Sequence, residues 1–423
     1  MKIGSSERKI AFNSENLYEY VKIFSFPRLA GSSGEQKAVE LTVKTFKNIG
    51  FIDSQIQLEP FEFSDFYSTT LIKLIMVITL TSSLFILMFA YINLYITILI
   101  IGALTLFVFL IVKGLKHPEK PGFWSEYYGS TISATNVFVK IPAKALPEDR
   151  AGNIIISAHL DSKSQTFKTF WRIFFYRIWL YGGIFVGGFL ALFFIGTFTI
   201  IKTNLLFIGT GLWIFTIVVS ISNIFLMSIN THNKSPGALD NASGMAIVFE
   251  LSSYFREKTI DNFNLWFCQF SGEELGTMGS RVFVNNHEKS FVKGRIFQFN
   301  LEMISCVSQK KNQIEYLNSY GVLPRKKIAP LLCKYLDNAA NEENVKIKGF
   351  HISVGAHTDS VPFHLRGYDS IDIVTRDAGK YTHTKRDTPD RVDPKVLKDA
   401  CLLVKHTILS LDKDFDVLPK INH

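Results

Sequence analysis

Hydrophobic positions are distributed unevenly along this chain. Leu74–Val112, Ile178–Ile201 and Thr203–Thr231 contain no Asp, Glu, Lys, Arg or His, and they are long enough to cross a bilayer. Read as one helix at about 1.5 Å per residue, Leu74–Val112 would be nearly twice the roughly 30 Å hydrocarbon core. The pattern therefore predicts two short helices turning near Tyr91-Ile92-Asn93. The second region divides at Lys202-Thr203-Asn204, giving helices over about Ile178–Ile201 and Leu205–Ile229. Four helices in two hairpins are expected. Gly182, Gly183, Gly187 and Gly188 are candidates for close helix approach.

Two hairpins return the chain to the side it left, so residues 1–70, 115–169 and 231–423 share one compartment and can build one domain around hairpins at 71–114 and 170–230. Met1–Phe51 lacks the short apolar segment of a secretory signal. Lys73, Lys113, Lys116, Lys120, Lys163, Lys168, Arg172, Arg177 and Lys234 flank the helices on the domain side, against Lys202 alone at the tips. The positive-inside rule then predicts an integral, multi-pass cell-membrane protein with its domain in the cytoplasm. Transporters and intramembrane proteases usually need ionisable groups within their spans, which these spans lack.

Outside the hairpins, short β-rich runs alternate with helical patterns. Asn153–Ala158, Phe263–Phe270, Arg295–Asn300 and Ser370–Val374 read as buried strands. Ala242–Phe255, Ile328–Asn341 and Pro394–Leu411 read as helices, which makes the domain α/β. Composition agrees: mean hydropathy is +0.18 and 20% of residues are charged, but the apolar regions hold only Lys73, Lys113, Arg172, Arg177 and Lys202, leaving an ordinary soluble charge content elsewhere. The formal charge of +9 comes without a basic run interleaved with aromatics, so nucleic acid is not the expected partner. Cys268, Cys306, Cys333 and Cys401 are far apart without metal-ligand spacing, and read as free thiols of a reducing compartment.

Ligands of such sheets gather beyond the carboxyl ends of strands. His159 and Asp161 follow the first strand, Glu273 and Glu274 the second and Glu302 the third. Asp240 opens a turn into a helix, and His383 lies in a loop after the fourth strand. Singly, each has a bland reading as a cap or turn residue. Together, two imidazoles and three carboxylates are what a pair of zinc ions needs, and Asp161 in His159-Leu160-Asp161 adds a carboxylate able to fix a ligating ring's tautomer.

At this point the sequence resembles the M28 family of zinc-dependent aminopeptidases. The resemblance runs in order through "FPRLAGSSGEQKAVELTVKTFKNIGF" from Phe26, "ISAHLDS" from Ile156, "SPGALDNASGMA" from Ser235, "FSGEELGTMGSRVF" from Phe270, "FNLEMI" from Phe299, "TDSVPFHLRGYDSI" from Thr358 and "THTKRDTPDRVD" from Thr382. It implies a three-layer α/β/α zinc-exopeptidase (phosphorylase/hydrolase-like) domain with a mixed central sheet, interrupted by the two transmembrane hairpins. It also implies two Zn²⁺ per chain, bridged by Asp240, with His159 and Glu302 completing one site and Glu274 and His383 the other. Glu273 becomes the general base of metal-assisted hydrolysis of a peptide substrate. Tyr368 matches a position where some members place an oxyanion-stabilising tyrosine, and Asp387 is expected to hold the His383 loop. His351, His357 and His364 are competing imidazoles, and His357-Thr358-Asp359 mimics the start of the last motif, but His383–Thr388 fits the whole of it.

Two departures stand out. Glu302 occupies a position more often held by Asp, and about seventy residues carrying the second hairpin separate His159 from Asp240. The resemblance then implies an enzyme held at the bilayer with its rim against the membrane, a placement suited to apolar or membrane-derived peptides. Two alternatives remain: a receptor or scaffold with no chemistry, and a one-zinc glutaminyl cyclase. Side-chain preference, amino- versus carboxypeptidase action and oligomeric state are not legible in the sequence.

Overall fold

A computed structural model describes residues 12–68, 70–114, 129–198, 205–291, 295–307, 314–321, 324–353 and 358–418. Lys116, Lys120, the Lys202-Thr203-Asn204 tip and His357 lie outside the described residues. The chain divides into two compact units, residues 1–63, 132–164 and 233–423 in the first and residues 64–131 and 165–232 in the second.

The first unit is built on one mixed sheet. Its main strands are β1 (Ile56–Ser64), β2 (Thr131–Ile141), β3 (Gly152–His159), β4 (Phe263–Phe270), β5 (Ile296–Glu302), β6 (Ile314–Tyr320), β7 (Ile347–Ile352) and β8 (Asp369–Val374), in spatial order β1-β2-β4-β3-β5-β8-β6-β7. The central pairs β3–β4, β3–β5 and β5–β8 are parallel, as is β6–β7, whereas β2–β4 and β6–β8 are antiparallel. Every residue of β3, β4 and β5 is buried, because helices cover both faces. One face packs Ile154, Ile156, Leu265, Phe267, Phe297 and Phe299 against α1 (Ser14–Phe24), α2 (Ser33–Ile49), α7 (Ser243–Glu257), α9 (Pro330–Glu342) and α10 (Pro394–Lys413). The other packs Phe138, Ile155, Trp266, Cys268 and Phe270 against Phe283 and Val284 of α8 (Met278–His287). The result is the expected α/β/α layering.

Local chemistry sets the helix ends. The Asn13 side chain accepts from Glu15 N at the start of α1, the Ser32 side chain accepts from Glu35 N at the start of α2, and Asp393 accepts from Lys395 N ahead of Pro394 at the start of α10. Register then aligns the strand ends. His159 lies opposite Phe270, Ser157 opposite Asn300, and Val374 opposite Glu302, so the carboxyl ends of four parallel strands finish near one level.

The second unit contains four helices long and apolar enough to cross a membrane: α3 (Thr70–Ile92), α4 (Leu94–Gly114), α5 (Thr169–Phe198) and α6 (Leu205–Met227). The turn between α3 and α4 falls at Asn93, whose Oδ1 accepts from Tyr95 N and Ile96 N and caps α4. Helix α5 starts nine residues ahead of the apolar run and takes in Arg172 and Arg177, because an apolar pattern marks what lipid can cover rather than where backbone hydrogen bonding begins. Within this unit Thr79 Oγ1 donates to Asn223 Oδ1 at 2.8 Å and Ser222 Oγ to Phe175 O at 2.7 Å, tying α3, α5 and α6 together. Of the expected small-residue contacts only Gly182 is one: a Cβ there would sit 2.6 Å from Val219 Cγ2, while Cβ atoms at Gly183, Gly187 and Gly188 would meet nothing within 4 Å among the described residues.

Candidate metal centre

The site lies at the aligned strand ends of the first unit. His159 closes β3, and its Nδ1 lies 3.0 Å from the carbonyl oxygen of Asp161. A carbonyl only accepts, so Nδ1 carries the hydrogen and Nε2 is the atom left for a proton or a metal ion. The Asp161 carboxylate stands 3.6 Å from the same Nδ1 and has further partners. Its Oδ1 accepts from Glu273 N at 3.1 Å and its Oδ2 from Glu274 N at 3.2 Å. The Asp161 backbone carbonyl and carboxylate thus both face Nδ1, at 3.0 and 3.6 Å, and the carboxylate also clamps the loop after β4. That loop turns at Gly272, whose φ of 72° favours glycine.

Asp240 sits in a turn just ahead of α7, entered through Gly237 at φ 65°, where a Cβ would meet Asp240 O at 2.6 Å. The Asp240–Asn241 peptide is cis. Asp387 Oδ1 accepts from Leu239 N at 2.6 Å and Oδ2 from Asp240 N at 3.2 Å, so the residue expected to hold the His383 loop ties that loop to the Asp240 turn. Asp240 Oδ1 then lies 3.0 Å from His159 Nε2, and Oδ2 lies 3.2 Å from His383 Nε2. One carboxylate stands between two imidazoles, an oxygen facing each. Around His159 Nε2 are Glu302 Oε1 at 3.8 Å and Glu273 Oε2 at 4.0 Å, and Glu274 Oε2 lies 3.1 Å from His383 Nε2.

All six side chains are buried. Burial drives the Glu273 and Glu302 carboxyls well above the ordinary carboxylate range, and Glu302 adds to the rise at Glu273. Asp240 is held far below it despite burial, by His159 and His383, and Glu274 falls to about 2 against burial because His383 and Lys163 face it. Burial lowers the His159 imidazole, yet Asp161, Asp240, Glu273 and Glu302 together lift it well above its usual value. Four carboxylates thus crowd two imidazoles and one lysine. Among the described residues His159 Nε2 and Asp240 Oδ1 have only each other within hydrogen-bond distance, at 3.0 Å, and Glu274 Oε1 has no hydrogen-bond partner. Buried ligand atoms left under-satisfied in a surplus of negative charge are what cations would satisfy. His159, Glu273 and Glu302 form one group able to hold a metal ion, and Asp240, Glu274 and His383 another. Nitrogen and oxygen donors of this kind suit zinc.

Three residues escaped the sequence reading. Lys163, read there as a membrane-edge cation, instead places Nζ 2.8 Å from Glu274 Oε2. Arg28, buried throughout, donates to the carbonyls of Phe24, Phe26, Leu160, Pro236 and Gly237, joining the His159 and Asp240 loops. Glu35 accepts from Ser271 Oγ at 2.9 Å and Thr135 N at 3.1 Å beneath the Glu273 loop, and burial raises it to about 7. Only Arg28 and Glu35, lying within the first quoted motif, gave a signal. Tyr368 is the opposite case. It precedes β8, whose first residue pairs with Phe297, five residues before Glu302 and about 16 Å away along the strand. It packs against Phe291 and Phe363 instead of facing the cluster, so its expected oxyanion role is corrected. Of the rival imidazoles, His351 lies beside Ser319 Oγ, and His364 sits in a short helical turn.

A mixed α/β/α sheet thus carries, at its strand ends, a buried cluster of two imidazoles and four carboxylates able to hold metal ions. Residues 226–408 match the sequence model of peptidase family M28. That match contains Asp240, Glu273, Glu274, Glu302 and His383, while His159 and Asp161 are brought in by the fold. The chain is 26% identical over 184 residues to aminopeptidase YwaD of Bacillus subtilis (strain 168), an alignment covering 40% of this chain and 36% of that protein. The chain thus spans little more than a third of its relative's length. Among solved structures it resembles BSAP, a zinc aminopeptidase from Bacillus subtilis, with TM-score 0.55, 13% identity and coverage of 95% and 96% of the two chains. It resembles an Acidobacteriales bacterium glutaminyl cyclase with TM-score 0.54, 16% identity and coverage of 98% and 99%. At such identities these likenesses show the fold.

Proposed function

We propose that this chain is a membrane-anchored zinc aminopeptidase that removes N-terminal residues from peptides. The observation that carries the reading is Asp240 set between His159 and His383, one carboxylate oxygen toward each ring. In this reading His159, Glu302 and Asp240 would hold one zinc ion, and Asp240, Glu274 and His383 would hold the other. Zinc, when bound, supplies Lewis acidity that makes water a nucleophile near neutral pH and polarises the scissile carbonyl. Glu273, buried 4.0 Å from His159 Nε2, takes the proton of the attacking water and delivers it to the leaving amine nitrogen. Asp161 holds Glu273 in place through its amide, and burial of the cluster keeps bulk water from the proton transfer.

In this reading the four apolar helices anchor the enzyme, and the flanking cations support a domain in the cytoplasm. Lys163 no longer counts among them, but Lys73, Lys113, Lys168, Arg172, Arg177 and Lys234 still do. Cysteine labelling of the hairpin tips checks this: protection from a cytosolic reagent is expected, and labelling would reverse the orientation. The fold is shared with a glutaminyl cyclase, so metal content tests the enzyme reading. Two zinc ions per purified chain support it, one favours cyclisation of N-terminal glutamine, and none favours a scaffold.

A further inference from the structure

Lys163 lies beside one of the side chains proposed to hold zinc. Its Nζ is 2.8 Å from Glu274 Oε2 and 2.7 Å from the Glu274 carbonyl oxygen, in a side chain only 11% exposed. The same Oε2 faces His383 Nε2 at 3.1 Å. An ammonium group has donors and no acceptor, so it satisfies a carboxylate oxygen as a small cation does. Any ion entering the Asp240, Glu274 and His383 group must share Glu274 with this ammonium and lie a few ångströms from a like charge. The other group, His159, Glu273 and Glu302, has no lysine or arginine ion-paired with either glutamate among the described residues. Tethering keeps Lys163 at its post at any zinc concentration.

We infer that Lys163 is a built-in competitor for Glu274, which makes the Asp240, Glu274 and His383 position the weaker and more exchangeable of two zinc positions. The inference rests on the two-zinc reading above. Its consequence is regulatory: the fully loaded fraction of the enzyme follows free zinc across a range in which the first position is already full.

The test is a zinc titration of the full-length chain in detergent, competed against a chromophoric chelator, with zinc itself as the probe. The unmodified chain should bind zinc in two separated steps. Lys163→Met and Lys163→Gln should tighten the second step by at least about tenfold, the scale expected when a nearby like charge is removed, and leave the first within about twofold. Lys163→Arg keeps the charge and should keep the gap, which also controls for folding. A second step unchanged or weakened in both uncharged variants, with gel-filtration profile intact, would overturn the inference and make Lys163 a support for Glu274. An unmodified chain that binds no zinc would remove the two-zinc reading itself.

Discussion

Replacing Asp161 by Asn isolates the clamp behind the proposed base. Both carboxylate oxygens are in use, one on the Glu273 amide at 3.1 Å and one on the Glu274 amide at 3.2 Å, in a fully buried side chain. Asn keeps one oxygen and turns an NH2 toward the other N–H. The change removes one charge-assisted hydrogen bond, worth about 1.5–3 kcal/mol, and leaves a buried donor facing a donor, costing about 1–3 kcal/mol more. The sum is about 2.5–6 kcal/mol, and about half of it, roughly 2–3 kcal/mol, spent on displacing the Glu273 loop corresponds to roughly 30- to 100-fold in rate at about 1.4 kcal/mol per decade. Steady-state hydrolysis of a peptide amide should therefore show kcat reduced about 30- to 100-fold with KM little changed. Zinc content should hold, since the Asp161 carboxylate is not among the groups that could ligate metal. A folded, zinc-loaded Asp161→Asn enzyme with kcat within about threefold of the unmodified chain would refute the clamp.

Other expectations follow from the same geometry. Arg28→Met strands several buried carbonyls and should destabilise the first unit by about 3–5 kcal/mol, read as a lowered thermal transition; a loss under about 1 kcal/mol would show that those loops do not need it. Tyr368→Phe should leave kcat within about twofold, because Tyr368 lies at the far end of β8, and a large loss would restore its oxyanion role. Glu35, raised in the folded chain to about 7 from an ordinary 4.5, binds more protons folded than unfolded. Its contribution is therefore present at pH 4 and lost as pH rises toward 7, by up to about 3 kcal/mol. Glu35→Gln should match the unmodified chain near pH 4 and be the more stable at pH 8; equal stability curves at both pH values would contradict the buried-acid account.

Much of the architecture was legible because its signals are local. Strands buried on both faces read as continuous apolar runs, as in Phe263–Phe270, and the bilayer-length runs stand out by composition alone. His159, Glu273, Glu274 and Glu302 were legible as strand-end residues because parallel strands in register bring their carboxyl ends to one level, whereas Asp240 and His383 were singled out by the motifs of the family resemblance. What stayed hidden depends on partners remote in sequence. Lys163 and Glu274 are 111 positions apart, and Ser271 and Glu35 are 236 apart. Nothing in the flanking residues of Lys163 distinguishes a cation bound for a metal site from one bound for a membrane edge. Tyr368 misled for a related reason: a motif gives chain position, whereas strand direction decides which end of the sheet a residue occupies. Asp161 lay where expected, but which of its groups met which neighbour depended on the loop after β4.

The central claim is that this cluster hydrolyses peptides from their amino ends with Glu273 as base. It is tested most directly by mass spectrometry of a mixed panel of short peptides, with free and blocked termini, after incubation with the zinc-supplied chain and with its Glu273→Ala variant. The account predicts stepwise loss of single N-terminal residues from unblocked peptides by the unmodified chain, with the variant inert yet still holding zinc. Peptides left intact by the unmodified chain, or trimmed equally by the variant, would contradict it.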